Sequence, residues 1–327
     1  MIVPEAQTQR LARADTHGKV SSIHSDRSGI LPTGLQSGED FRSMRLRTMT
    51  KQDILAGLRL KELAGWNQTA ADWNRFLGAS PQGCFVAEAD GKVCGTATTI
   101  SFESKFAWIG MVLVDPQHRS QGIGTKLLER TIEYLDQQKM PTMKLDATPQ
   151  GKPLYEKLGF VTEYGIERWV LKKPQNAGAT NADPNRAALT TVQLEAILAK
   201  DREVFGADRN SLLRSLREEA PEFGVGVWDD GKLHGYTFGR RGSFADHLGP
   251  WMVENSFAAR ALLDEFLARS TRESLIVDCL TGNPSALELL RTAGFTYART
   301  LTRMYRGPND HPGNPAALCA ILGPEFG

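Results

Sequence analysis

The sequence predicts an α/β protein built as two tandem copies of one unit, and three observations carry that reading. Asp90-Gly91-Lys92-Val93-Cys94-Gly95 recurs as Asp230-Gly231-Lys232-Leu233-His234-Gly235. In both places apolar runs flank an Asp-Gly turn, which is the signature of a β-hairpin. Gly159-Phe160, after a helical run, recurs as Gly294-Phe295. Between these anchors the first copy holds a short apolar strand, a glycine-bearing loop and a helix.

The 327 residues suit two domains at roughly 150 residues each. A polar stretch over residues 172–188, with two prolines and three asparagines, reads as the linker. It separates residues 44–171 from residues 189–327. Residues 1–43 are polar and aperiodic and read as a disordered extension, and Met44 is a second candidate start. The net charge is +1, with residues 41–171 at +3 and residues 189–327 at −3. That balance argues against a nucleic-acid or membrane-surface binder. No apolar run nears the roughly 18 residues of a membrane helix, and no secretory signal is visible. Cys84, Cys94, Cys279 and Cys319 form no CxxC pair or Cys/His cluster, so no metal and a cytoplasmic location are expected.

Along the first copy, Met44 to Thr48 reads as a strand. Trp108 to Val114 is an apolar run that Asp115-Pro116 stops, because proline cannot continue a ladder. Leu127, Leu128, Ile132 and Leu135 then repeat at helical spacing, so a helix starts near Gly124. Met143 to Thr148 is the next strand, and Pro149 to Leu158 a helix. A glycine loop opening a helix offers unpaired N–H groups and a positive dipole end, which suit phosphate. The loop is neither a Walker loop, since Gly124-Thr125-Lys126 has the wrong order, nor a dinucleotide fingerprint, since Leu127 stands at the third glycine.

The loop does fit Arg/Gln-x-x-Gly-x-Gly/Ala through Arg119, Gly122 and Gly124, and here the sequence resembles the GNAT acetyltransferase superfamily. Leu154-Tyr155-Glu156-Lys157-Leu158-Gly159-Phe160 matches that superfamily's second signature. Further segments, among them Gly65-Trp66-Asn67-Gln68 and Arg303-Met304, resemble a tandem branch with a second GNAT-like domain. The resemblance implies two mixed, mostly antiparallel sheets flanked by helices. It implies acetyl-CoA as co-substrate, with its pantetheine arm along Met111, Val112, Leu113 and Val114. Its pyrophosphate would lie on Arg119, Ser120, Gln121, Gly122, Ile123, Gly124 and Thr125, with Lys157 also on the cofactor side. It further implies that Tyr155 protonates the departing thiolate.

An alkyl ammonium has a pKa of about 10.4, so freeing its nitrogen at pH 7 costs about 4–5 kcal/mol and calls for a base. Asp146, near the end of its strand beside the cleft, is the first candidate, and Glu103 is the second, also expected near the acceptor. Trp66 and Asn67 are expected at the acceptor pocket, Trp73 less so. A backbone N–H near Met111 to Leu113 is the expected oxyanion donor. The expected activity is direct acetyl transfer to a small-molecule or peptide amine. The alternative is a non-catalytic acyl-CoA sensor.

The second copy is about five residues shorter between its anchors. Glu254 to Arg260 replaces the glycine loop, and Leu290 aligns with Tyr155. It is therefore expected to be a degenerate GNAT-like domain. Arg240, Arg241 and Asp246 read as surface charges there.

Overall fold

The strands of both copies join in one twelve-stranded sheet in a computed structural model, which describes residues 44–173 and 189–327. The predicted N-terminal extension, and the predicted linker beyond Lys173, lie outside the described residues. The first copy contributes β1 (Arg45–Thr48), α1 (Ile54–Leu63), α2 (Ala70–Ala79), β2 (Phe85–Ala89), β3 (Lys92–Phe102) and β4 (Phe106–Val114). Then come α3 (Ile123–Gln137), β5 (Met143–Ala147), α4 (Lys152–Lys157) and β6 (Val161–Lys172). The second copy contributes α5 (Thr191–Phe205), α6 (Asn210–Glu219), β7 (Val225–Asp229), β8 (Lys232–Arg241), β9 (Asp246–Val253) and α7 (Ser256–Arg269). It ends with β10 (Ser274–Leu280), α8 (Pro284–Thr292), β11 (Thr296–Arg306) and β12 (Leu318–Ala320). No helix among the described residues is long and apolar enough to cross a membrane.

The sheet order is β1-β2-β3-β4-β5-β11-β6-β10-β12-β9-β8-β7. The copies exchange their last long strands. β11 pairs antiparallel with β5, and β6 pairs antiparallel with β10. The boundary after residue 171 therefore divides the sequence but not the sheet. Both Asp-Gly turns are hairpins, with β2–β3 and β7–β8 closed at Ala89↔Lys92 and Asp229↔Lys232.

Each copy has one parallel pair that starts and then splays. β4 and β5 are in register only at Ala107↔Met143 and Trp108↔Lys144. β9 and β10 are in register from Leu275↔Asp246 to Val277↔Leu248. Beyond that point the second gap is filled by β12, which pairs with both β9 and β10. Ile321 follows it, donating its N–H to Asp278 O over 3.0 Å. A Cβ at Gly249 would overlap the Ile321 carbonyl, so only glycine lets the tail pass there.

α3 lies on the sheet through Leu127, Leu128, Thr131, Ile132 and Leu135, all buried at helical spacing. Trp73 is fully buried in the core cluster rather than at a pocket wall. Asn67, expected to touch the acceptor, is instead a clip between copies. Its Nδ2 donates to Ala245 O at 2.9 Å, and its Oδ1 accepts from the Phe244 and Ala245 N–H groups. Glu103 is likewise a tie, bonded to Lys105, to Arg202 and to the Asp208 N–H at 2.8 Å. All its partners satisfy the carboxylate, so it cannot serve as a free base beside the cleft.

These contacts, the Lys105 hydrogen bond first, hold the Glu103 carboxyl down at about 2. A depressed folded-state value stabilises above the unfolded value of about 4.3, and the contribution fades as pH falls toward 2. Glu103 is partly exposed, so screening limits the effect to about 1 kcal/mol or less. Denaturant unfolding of Glu103→Gln should show that deficit at pH 6, shrinking as pH falls and approaching zero only below about pH 2.

Candidate active site

The splay of β4 from β5 opens a cleft of about 170 Å³. Ile109, Gly110, Met111 and Val112 line one wall, and Leu145, Asp146 and Thr148 line the other. The divergence has a local cause. The β3–β4 ladder slips between Thr96↔Leu113 and Thr98↔Gly110, leaving Met111 and Val112 in a bulge. Met111 has φ of 50°, a left-handed conformation that a non-glycine residue adopts at a cost of order 1–3 kcal/mol. Thr96 Oγ1 donates to the Met111 carbonyl at 2.7 Å and pins the bulge. Leu113 and Val114 continue the strand past the cleft, with Leu113 in the core.

At the mouth, Asp115 ends β4 by accepting from the Gln117 N–H at 3.0 Å and from Arg59 at 2.5 Å. Arg119, Ser120, Gln121 and Gly122 are exposed and lead into α3 at Ile123. Gly122 caps the helix with φ of 75°, and a Cβ there would meet nothing within 4 Å. The first helical hydrogen bond is from Lys126 N–H to Gly122 O at 3.0 Å. The N–H groups from Gly122 to Thr125 therefore have no helical acceptor and face the loop opening. The bulge lies shortly before the C-terminal end of β4, and the loop follows directly from that end. Lys157 is exposed at the end of α4 and does not line the cleft.

Tyr155 and Trp66 both line the cleft. The Tyr155 ring packs edge-on against Phe160 at 6.1 Å between centroids. Burial pushes its phenol up to about 12, so it stays protonated at neutral pH. Passing that proton to a thiolate of pKa about 8.5 is uphill by about 5 kcal/mol, rather than the about 2 an unshifted tyrosine would require.

Asp146 is not the free base its position in sequence indicates. It sits opposite Arg303 in the β5–β11 register, and the two form a fork-to-fork pair with both contacts at 2.9 Å. Its side chain has no exposed surface. Burial raises its carboxyl, while Arg303 opposes that shift. Arg303 is held in turn by the Tyr164 hydroxyl and lies over the Trp108 ring at 4.4 Å. Each carboxylate oxygen is thus engaged by the Arg303 guanidinium.

Three polar residues of the cleft lay outside the sequence reading, Arg168, Arg299 and Glu325, and Gln68 entered it only as part of the Gly65-Trp66-Asn67-Gln68 segment. After filling the second gap, the chain's last turn crosses back to the first. Trp108 Nε1 donates to Pro324 O at 3.0 Å, and a Cβ at Gly110 would lie 2.7 Å from Glu325 O. Behind Glu325 runs a buried charge network. Arg240 bonds Glu325 and, at 3.0 Å, Asp72, and Arg168 forks onto Asp278 with both contacts at 2.7 Å. His247 Nε2 stands 3.1 Å from Asp278, and burial lowers its pKa. Arg240 is 1 % exposed and Asp246 is fully buried, so neither is the surface charge expected from sequence, whereas Arg241 is partly exposed and pairs with Glu222.

A splayed strand pair with a bulge on one wall, and a glycine-opened helix at its mouth, is the candidate active site of the first copy. Two family descriptions match the chain: Acetyltransferase (GNAT) family over residues 53–160 and Acetyltransferase (GNAT) domain over residues 197–318. The chain belongs to the GNAT N-acetyltransferases, as a tandem member with one GNAT domain in each copy. It is 24 % identical over 263 residues to the holothin acyltransferase of Pseudoalteromonas sp. (strain SANK 73390), covering 80 % of this chain and 87 % of that one. A solved chain from Pyrococcus horikoshii has its fold at a TM-score of 0.72, with 22 % identity, covering 90 % of this chain and all of that one. A tandem GNAT protein from the clavulanic acid biosynthesis pathway matches at a TM-score of 0.59, with 16 % identity, over 82 % of this chain and all of that one.

Replacing Asp146 by Asn leaves Arg303 buried beside a neutral amide. Removing one partner of such a pair costs about 3–5 kcal/mol. Asp146→Asn should therefore unfold at distinctly lower denaturant than the parent, and a parent-like midpoint would show that the pair is not what holds β11 on β5.

Proposed function

We propose that the protein transfers an acetyl group from acetyl-CoA to an amine acceptor, at one site per chain, in the β4–β5 cleft. The observation that carries this is the pairing of an open, bulged cleft with a glycine-opened α3 in the first copy only. The corresponding gap of the second copy is filled by β12. Acetyl-CoA, when bound, supplies the activated acyl group. The N–H groups from Gly122 to Thr125 and the side chain of Arg119 would hold its phosphates. The bulge at Met111 and Val112 leaves main-chain groups outside the β3 ladder, available to the thioester carbonyl. Tyr155 holds a proton for the departing sulfur, and Trp66 helps to wall the acceptor side.

Asp146 has a positioning role in this reading. Its ion pair with Arg303 fixes β11 against β5, and so fixes the wall that carries Thr148. Glu103 and Asn67 hold the two copies together and have no part in acceptor binding.

Titration calorimetry with acetyl-CoA should give one molecule per chain, and two would overturn the single-site reading. Gly122→Val should raise the KM for acetyl-CoA with little change in kcat, because a β-branched residue disfavours φ of 75°. Tyr155→Phe should lower kcat by about 10²-fold or more when chemistry limits turnover. An unchanged kcat would remove Tyr155 from the mechanism. Tight acetyl-CoA binding without turnover of any amine would instead favour a sensor.

A further inference from the structure

Two charged groups of the cleft are left with unused polar atoms. Glu325 is 3 % exposed. Its Oε1 is engaged by Arg240, but its Oε2 is buried with no hydrogen-bond partner. A buried carboxylate oxygen is costly unless something donates to it. Arg299 makes no hydrogen bond or ion pair among the described residues, and its Nε is buried without a partner. In the β6–β11 register it stands opposite Arg168, whose guanidinium is already committed to Asp278. Burial first, and Arg168 next, lower the Arg299 pKa to about 10, against the opposing pull of Asp278 and Glu325, so it remains a cation at neutral pH with no directly bonded carboxylate among the described residues. Both residues line the same cleft as Met111 and Tyr155.

We propose that the acceptor is a small amine that carries a carboxylate, held with its anion on Arg299 and its amine on Glu325 Oε2, which takes the amine proton. This rests on the acetyl-transfer reading above. A single unpaired guanidinium calls for one negative charge, which favours a carboxylate over a phosphate dianion. Its planar fork also matches a carboxylate's two oxygens. An ammonium is the donor that the vacant Oε2 lone pairs require. Glu325 reaches the site because the Ile321–Gly327 tail returns from the second gap to pass over Gly110, beside the bulge.

The proton balance is complete. The ammonium gives one proton to Glu325, which releases it to solvent. The neutral nitrogen then forms the N–C bond to the acetyl carbon as the C–S bond breaks. The sulfur takes a proton from Tyr155. The second nitrogen proton leaves through Glu325 and restores the phenol by way of solvent. In sum, one proton reaches solvent and one ends on the thiol.

The test compares initial rates of thiol release from acetyl-CoA with matched acceptors, each amino acid beside the amine lacking only its carboxylate. The parent should prefer the carboxylate-bearing member by about 10²-fold or more in kcat/KM, as expected when a site built for a polar group is left unpaired. Arg299→Gln should reduce that preference to a few-fold through the acceptor KM, with the acetyl-CoA KM unchanged. Glu325→Gln should cost about 10²-fold in kcat at pH 7, with the deficit narrowing as pH approaches the amine's own pKa of about 10. A purely structural loss would not narrow with pH, and Glu325→Asp should recover part of the rate. Preference for the carboxylate-free amines in the parent, or an undiminished preference in Arg299→Gln, overturns the proposal alone. A Glu325→Gln deficit constant in pH overturns the proton-accepting role. Acetyl-CoA binding without turnover of either acceptor class overturns the acetyl-transfer reading and the proposal with it.

Discussion

A parallel strand pair that begins to hydrogen-bond and then diverges leaves two rows of unpaired main-chain groups, and these need partners. The molecule contains this constraint twice and meets it in two ways. Between β9 and β10 the chain supplies its own answer, since β12 completes the ladders. Between β4 and β5 the divergence stays open as a cleft, its wall kept irregular by the left-handed Met111. The same tail serves both gaps. Having sealed the second, it brings Pro324 and Glu325 to the edge of the first. One gap is thus left open and the other is filled by the chain itself.

The exchange of β6 and β11 makes the copies inseparable. It also explains the buried charges at their junction. Arg303 reaches Asp146, Arg168 reaches Asp278, and Arg240 reaches Asp72, each across the junction. The opposite net charges of the two halves are spent partly here, where water is excluded. Buried ion pairs of this kind add little net stability over apolar packing, but losing one partner is expensive. Their effect is to fix register, and the cleft depends on that register, since Asp146 and Arg303 stand directly opposite each other in adjacent strands.

Much of the first copy was legible in the sequence because its signals are local. The Asp-Gly hairpins, the strand ending at Asp115-Pro116, the apolar face of α3 and the Gly122 loop each depend on residues within one or two turns of each other. Tyr155 was legible for the same reason, as part of a short signature at the end of α4. Asp146, Glu103 and Asn67 misled because a polar residue near a cleft reads the same whether its hydrogen bonds are free or taken. Apart from Lys105, a near neighbour of Glu103, the atoms that take them lie on segments 99 to 178 residues away.

The sequence by itself determined the duplication, the tandem GNAT architecture and which copy keeps the glycine loop that opens α3. Those features are written in turn chemistry, hydrophobic period and glycine placement, all short-range. Tertiary structure alone decided which polar groups line the cleft. Strand exchange pairs Asp146 with Arg303, leaves Arg299 without a direct hydrogen-bond partner among the described residues, and the chain's last turn passes over Gly110 so that Glu325 lines the cleft. The physical reason is that whether a charge is free depends on the long-range partners around it, and no local pattern records them.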